Sequence, residues 1–316
     1  MKSRKAPLSY RFKLRLKQVI DWLVAQAAFS VLGLIRLLGP RRAGNLFGYL
    51  ARTFGKLTKQ DRLARANVKA AFPEKTDAEI DAIVAQSWDN LGRVAAEYPH
   101  MAAIYDFDGQ NQGNIEIEGA EIFDRLANDG KPAIIFSAHL ANWELPAIAA
   151  ARHGLEVTVL YRTPNNRRIA EYIRRVRADI MGDMLPTGSS AVFGMAATLE
   201  ANGHLGLLVD QRYWRGPIGQ MFGRPVLMNP VVPKLLRKFD APVHGCRVIR
   251  LPKGRFRIEL TEEIPMPRDA KGEIDLPAAA QVISDVIQGW VRENPGQWLW
   301  QHNRWGGIRK KKKVEG

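Results

Sequence analysis

The chain of 316 residues has a single cysteine, Cys246. One thiol excludes an internal disulfide framework and any multi-cysteine metal site, and it fits a reducing compartment. The six histidines, at positions 100, 139, 153, 204, 244 and 302, form no HExxH and no other close pair of the kind that binds zinc. A metal is therefore not the default explanation for activity, and no cofactor is expected. The sequence also lacks a phosphate-binding P-loop signature and a G-x-S-x-G elbow, which argues against a P-loop nucleotidase and an α/β-hydrolase. Acidic residues are missing from both ends. Residues 1–18 hold seven basic side chains and residues 304–313 hold six, with no acid in either stretch. The rest of the chain has 34 basic against 32 acidic residues, so the formal net charge of +15 sits almost wholly at the termini. Such ends suit an anionic membrane surface, a nucleic acid or an acidic protein.

With 46% hydrophobic and 25% charged residues, the chain has the composition of a globular protein with a sizeable core. Its length fits one large or two modest domains. Behind the basic start, residues 22–35 are uncharged and mostly apolar. This run falls short of the roughly 20 residues that a spanning helix needs. It reads as a short, tilted transmembrane anchor or as a helix lying in the interface. A buried core helix is the plainer alternative, and the flanking positive charges argue against it. A cleaved signal peptide is not expected, because the basic leader is long and no clean A-x-A site follows. Basic residues continue at Arg41, Arg42, Arg52, Lys56 and Lys59, so the positive-inside rule does not orient the segment.

Residues 57–101 read as helical. Thr76 and Glu79 form a capping box ahead of Ile80, Ile83, Val84, Trp88 and Leu91 at helical spacing, and Pro99 closes that helix. From Asn114 onward, short apolar runs (IEIEG, PAIIFSA, EVTVLY, DMLPT, HLGLLV) alternate with helical stretches at 120–128, 142–152, 168–180, 190–201 and 230–239. The pattern predicts βαβ units. HGCRVIR and RFRIELT read as antiparallel strands, followed by a helix at about 277–293 and the aromatic segment QWLWQHNRW. The expected fold is α/β, with a mostly parallel central sheet flanked by helices and an N-terminal membrane-associated helical region. The expected division is 1–56 for leader and anchor, and 57–316 for the α/β domain.

In open α/β sheets ligands bind beyond the carboxyl ends of the strands. The polar residues that finish the apolar runs are His139, Asn142 and Glu144, then Tyr161 and Arg162, then Asp210, Gln211 and Arg212. On one helix, residues five apart lie about 140° around the axis, so His139 and Glu144 cannot face each other there. The spacing works if His139 ends a strand and Asn142 caps the next helix, with Glu144 in its first turn bending back to the ring. A carboxylate so placed holds one imidazole nitrogen and leaves the other as a general base, and the helix N-terminus offers N–H groups to developing negative charge. The plainer reading makes His139 a satisfied histidine and Glu144 a favourable first-turn acid. Likewise Arg174, Arg175 and Arg177 read as a solvated helix face and Asp210 as an ordinary strand-end acid. Phe222-Gly223-Arg224-Pro225 reads as a turn. Trp298 and Trp300 read first as packing, in a half-buried edge strand.

The H-x4-E arrangement in HLANWE resembles the catalytic motif of the bacterial lipid A late acyltransferases, the lauroyl and myristoyl transferases of lipopolysaccharide synthesis. Further similar segments are RANVKAAFP, NLGRVAAE, VLYRTPNNRRI, RRVRADIMGDMLPTG, LLVDQ, MFGRPV and PGQWLWQHNRW, which together cover nearly the whole chain. One departure is Ala141, where the family often has Gly. The resemblance implies an O-acyltransferase that moves a fatty acyl chain from acyl carrier protein to a hydroxyl on a phosphorylated lipid A precursor. It implies His139 as base and Glu144 as its orienter. It implies Arg177, with Arg175 as the competing choice, for the donor's phosphopantetheine or the oxyanion, and Asp210 to position that arginine or the acceptor. Arg162, Asn142, Phe222 and Gly223 are the further substrate-binding candidates. The implied location is the inner membrane, with the catalytic domain on the cytoplasmic side and no nucleic-acid partner. A lysophospholipid or glycophospholipid acceptor, with acyl-CoA as donor, is the alternative under the same mechanism.

Overall fold

The computed structural model describes residues 8–107, 113–178, 180–188 and 190–306. The basic tail at 309–313 and the first seven residues of the leader lie outside them. The chain opens with α1 (Leu8–Gly55), a helix bent at Gly39, where φ is +72°, followed by Pro40 inside it. Proline removes a ladder hydrogen bond and clashes with the preceding turn, which accounts for the bend. α2 (Lys59–Ala71) and α3 (Asp77–Glu97) follow, the latter started by the expected reciprocal capping of Thr76 and Glu79. A 3-10 turn at Tyr98–His100 and α4 (Met101–Ile104) complete the helical region.

The remainder alternates as the sequence predicts. β1 (Ile115–Glu118), α5 (Ala120–Asn128), β2 (Ala133–Ser137), α6 (Leu145–Arg152), β3 (Val157–Tyr161), α7 (Arg167–Ala178), β4 (Met184–Pro186), α8 (Ala191–Glu200) and β5 (His204–Leu208) come first. A hairpin of β6 (Ile218–Met221) and β7 (Arg224–Leu227) follows, then α9 (Val231–Leu236), β8 (Val243–Arg250), β9 (Phe256–Leu260) and α10 (Leu276–Glu293). The main sheet has the order β1-β9-β8-β2-β5-β3-β4 and is parallel except where β8 meets β9. All five residues of β2 are buried. Its alternate side chains serve opposite cores: Ile134 and Phe136 pack toward α2, α3 and α10, and Ile135 packs toward α5 and α6. A central strand covered on both faces is apolar throughout, hence the unbroken run AIIF. The segment after α10 is not an edge strand. It is a 3-10 turn (Pro295–Gln297) and an irregular stretch joined to the sheet region by one bridge, Leu140 to Trp298.

The apolar stretch of α1 is not a core helix. In its most apolar 18-residue window, with mean hydropathy 1.6, only 11% of residues are buried. By length and composition this helix can cross a membrane. The second half of α1 packs along α3, and Gly92 permits the close approach: a Cβ there would sit 2.3 Å from the Phe47 carbonyl oxygen.

Candidate active site

Two neighbouring strands set the centre of the site. β2 and β5 are parallel with Ser137 opposite Leu208. His139 and Asp210 each lie two residues beyond that last pair, so the register alone brings them side by side. The Asp210 carboxylate accepts two hydrogen bonds from His139, from the backbone N–H at 3.0 Å and from ring Nδ1 at 2.7 Å. The indole N–H of Trp298 donates to the same carboxylate at 2.9 Å. An ionised carboxylate only accepts, so the ring proton resides on Nδ1 and Nε2 carries the lone pair. The amide of Gln211 donates to Nε2 at 3.3 Å. The Trp143 ring lies 5.1 Å from the imidazole.

The charges follow this geometry. Asp210 is 4% exposed. Burial works against its ionisation, but the His139 ring and the two further N–H donors outweigh it and hold the carboxyl below its ordinary range. For His139, burial opposes protonation, while the charge and hydrogen bond of Asp210, with Glu144 adding, raise the ring above its ordinary 6.5. His302, whose Nε2 accepts the Arg212 backbone N–H at 3.2 Å, is lowered by burial.

Beside this pair stands a second one. Arg177, near the end of α7, donates from Nη2 to Glu144 Oε1 at 2.6 Å, and both side chains are under 20% exposed. Its guanidinium carbon lies 5.8 Å from the centre of the Tyr98 ring. Burial opposes its charge, and Glu144 and Tyr98 together reverse the effect, so Arg177 stays firmly cationic. Its Nε–H is buried and has no hydrogen-bond partner among the described residues. Trp143, Glu144 and Arg177 line a pocket of about 80 Å³ together with Val157, Met181, Phe123 and Cys246.

The structure corrects several expectations. The carboxylate on the imidazole is Asp210, and Glu144 pairs with the arginine instead. Asp210 accordingly does not bond Arg177. Asn142 does not cap α6 as expected: the helix begins at Leu145, with Glu144 as the residue just before it. The Asn142 side chain accepts the Glu144 N–H at 3.3 Å and its carbonyl accepts the Leu145 N–H at 3.1 Å, while Pro146 has no N–H to give. The helix start therefore offers far less to an anion than its sequence suggests. Of the two competing arginines, Arg175 is exposed and bonds Glu171 at 2.8 Å, so Arg177 is the one at the site. Arg162 is exposed just after β3 and does not line the pocket. Phe222 and Gly223 form the two-residue turn between β6 and β7, with φ of +54° and +66°. The Phe222 ring packs against Phe72 at 5.2 Å and Trp300 at 6.1 Å, away from the pocket. Among the described residues, no group of three His, Cys, Asp or Glu side chains is placed to hold a metal ion.

The loop from His139 to Glu144 is fixed from behind. Ala141, fully buried with φ of +47°, donates its N–H to the Gln297 carbonyl at 2.9 Å and accepts from the Asn90 amide at 3.0 Å. The Asn142 amide donates to Glu97 at 3.0 Å, and Glu97 is gripped by both terminal nitrogens of Arg250. Sequence reasoning missed Asn90, Glu97, Arg250 and the role of Trp298. The only signal for Trp298 was its place in the tryptophan-rich segment.

The family model of bacterial lipid A biosynthesis acyltransferases matches residues 10–306. A lipid A biosynthesis palmitoleoyltransferase of Escherichia coli (strain K12) is 22% identical over 90% of this chain and 87% of its own length. A lipid A biosynthesis acyltransferase 2 of Shigella flexneri is 23% identical over 95% of both chains, and a myristoyltransferase of Escherichia coli (strain K12) is 23% identical over 84% of this chain and 81% of its own length.

Proposed function

The chain belongs to the bacterial lipid A biosynthesis acyltransferases, and from that premise we propose that it esterifies a hydroxyl of a 3-hydroxyacyl chain on a phosphorylated lipid A precursor, with acyl carrier protein as donor. The observation that carries the mechanism is the His139–Asp210 bond, which leaves the lone pair on Nε2, held only by the long 3.3 Å contact from Gln211, while the Glu144–Arg177 pair lines the adjoining apolar pocket. Nε2 takes the hydroxyl proton as the oxygen attacks the thioester carbonyl carbon. Asp210 stabilises the imidazolium so formed. Arg177, with its unpartnered Nε–H, stabilises the tetrahedral oxyanion, and Glu144 holds that arginine in place. Collapse breaks the carbon–sulfur bond, and the imidazolium returns its proton to the leaving thiolate. The products are the ester and the free carrier thiol. The apolar pocket, about 80 Å³, takes the carbons of the donor's acyl chain next to the carbonyl.

The protein acts at the inner membrane, held there by α1, with residues 57–316 on the cytoplasmic side. The basic ends draw both an acidic carrier protein and an anionic bilayer. The test is mass spectrometry of products after the purified full chain is mixed with the phosphorylated precursor and either acyl carrier protein or coenzyme A thioesters. The expected result is one added acyl group on the precursor, with the carrier-protein donor preferred. Acylation of lysophospholipid and none of the precursor would overturn it.

A further inference from the structure

An apolar helix of this length can cross a bilayer or lie in its surface, and α7 discriminates between the two. The two helices run side by side in the same direction. The Asn166 amide, just before α7, donates to the Asp21 carbonyl at 2.6 Å, and the Tyr172 ring lies 5.5 Å from Phe29. Farther along, Arg175 and Arg36 line the same groove. The direct contacts run from Asp21 to Phe29, about 12 Å at 1.5 Å per residue, and the groove continues to Arg36, so α7 flanks the apolar stretch. A bilayer that enclosed this stretch would also enclose Arg167, Arg168, Glu171, Arg174 and Arg175, and Arg174 and Arg175 are 52% and 72% exposed. Charged side chains are excluded from the hydrocarbon at that depth.

The faces of α1 agree. Asp21, Ala25, Phe29, Leu32 and Arg36, spaced by three or four residues, look toward α7 and the body, and Ala25 and Ile35 are fully or almost fully buried. Away from α7 the exposed apolar residues form a broad outer stripe that includes Leu16, Val19, Leu23, Val24, Leu34 and Leu37, each at least half exposed. The groove between the helices, about 910 Å³, is lined by four arginines, Arg36, Arg167, Arg168 and Arg175, against two acids, Asp21 and Glu171. Arg36, Arg167 and Arg168 have no ion-pair partner among the described residues. Basic residues also stand at both ends of the apolar stretch, at Arg15 and Lys17 and at Arg36, Arg41 and Arg42. Both ends therefore suit the same anionic leaflet.

We propose that α1 does not cross the membrane. Together α1 and α7 lie in the surface of one anionic leaflet, with the outer stripe of α1 among the acyl chains and the arginines of α7 and Arg36 among the phosphates. The inference rests on the reading that the enzyme works at a membrane. Arg177 lies ten residues beyond Arg167 on α7, about 15 Å away. The same helix therefore sets the catalytic pocket close to the headgroup plane.

The test uses the full chain with single introduced cysteines, bound to sealed vesicles of phosphatidylethanolamine and phosphatidylglycerol. Cys246 is fully buried and its thiol is pushed up by burial, so it gives no background. Arg15→Cys, in the helix before the apolar stretch, is compared with Lys271→Cys, on an exposed turn of the body. A membrane-impermeant maleimide is expected to label both to the same extent from the same side. Protection of Arg15→Cys until the vesicles are permeabilised would show a spanning helix and overturn the proposal. Failure of the protein to sediment with vesicles would overturn the membrane reading itself, and a soluble dimer with the stripe covered would overturn both. As a second measurement, the double reversal Arg167→Glu and Arg168→Glu is expected to weaken vesicle partition at least about tenfold, in a salt-sensitive manner. Unchanged partition would contradict the placement of α7.

Discussion

Asp210 grips one residue twice: its two carboxylate oxygens take the backbone N–H and the ring Nδ1 of His139, at 3.0 and 2.7 Å. A bidentate hold of this kind fixes the ring's position and tautomer together. Replacing the carboxylate by an amide is expected to damage turnover without unfolding the sheet edge, because the amide oxygen can still accept the backbone N–H. Asp210→Asn should lower kcat by about two to four orders of magnitude. The pH profile gives a sharper check. The base works when neutral, so activity rises with pH through the His139 pKa, and Asp210 lifts that value in the wild type. The acidic limb of kcat/KM should therefore move to lower pH in Asp210→Asn. A limb that stays in place would show that Asp210 does not tune the ring.

Glu144 and Arg177 form a buried ion pair in which one member holds the other. If Arg177 serves the oxyanion and Glu144 acts through it, their losses overlap. Arg177→Ala is expected to cost about 10²–10³ in kcat. Glu144→Ala should approach that cost, and the double variant should be no worse than Arg177→Ala alone. Fully additive losses, measured as a double-mutant cycle on the transfer rate, would show that Glu144 acts independently of the arginine.

The backbone at Ala141 is left-handed, a conformation that Gly adopts freely and that an L-residue adopts only under strain. The strain of an L-residue at this φ is about 1–2 kcal/mol. Replacement by Gly relieves it, but loses roughly 0.5–1 kcal/mol to chain entropy and about 0.8 kcal/mol of buried methyl. The terms nearly cancel, so Ala141→Gly should leave Tm within about 3 °C. Ala141→Val adds a β-branched side chain at positive φ in a filled core and should lower Tm by at least about 4 °C. Thermal unfolding of the two variants checks both statements, and a well-tolerated valine would contradict a left-handed backbone at this position.

Acyl-chain selection should follow the pocket. Ala147 lines its wall. A phenyl ring projecting into a cavity of about 80 Å³ leaves little room for a chain. Ala147→Phe is therefore expected to shift preference toward shorter donors, read from competition between acyl thioesters of different length. An unchanged preference would place the chain elsewhere.

The strand ends were legible because apolar runs and their polar terminators are local signals: HLANWE, YR and DQR all finish predicted strands, and β2, β3 and β5 carry them to one edge. Which carboxylate meets His139 was not legible. That depends on the Ser137–Leu208 register between strands some 70 residues apart, and on the turn at Ala141 that swings Glu144 toward α7. The site's rear supports were equally hidden. Asn90 and Glu97 look like ordinary helix polar residues until α3 is packed against the loop. Trp298 was read as packing, and its ring does pack on Trp300, but its indole N–H completes the shell of Asp210.

The central claim is that His139 removes the acceptor's proton. It is tested most directly by the acyl-transfer rate of purified His139→Ala against the wild type, with thermal unfolding run in parallel. The predicted result is a fall of about 10³ or more with an essentially unchanged Tm. Transfer within about tenfold of the wild-type rate, in a folded variant, would contradict it.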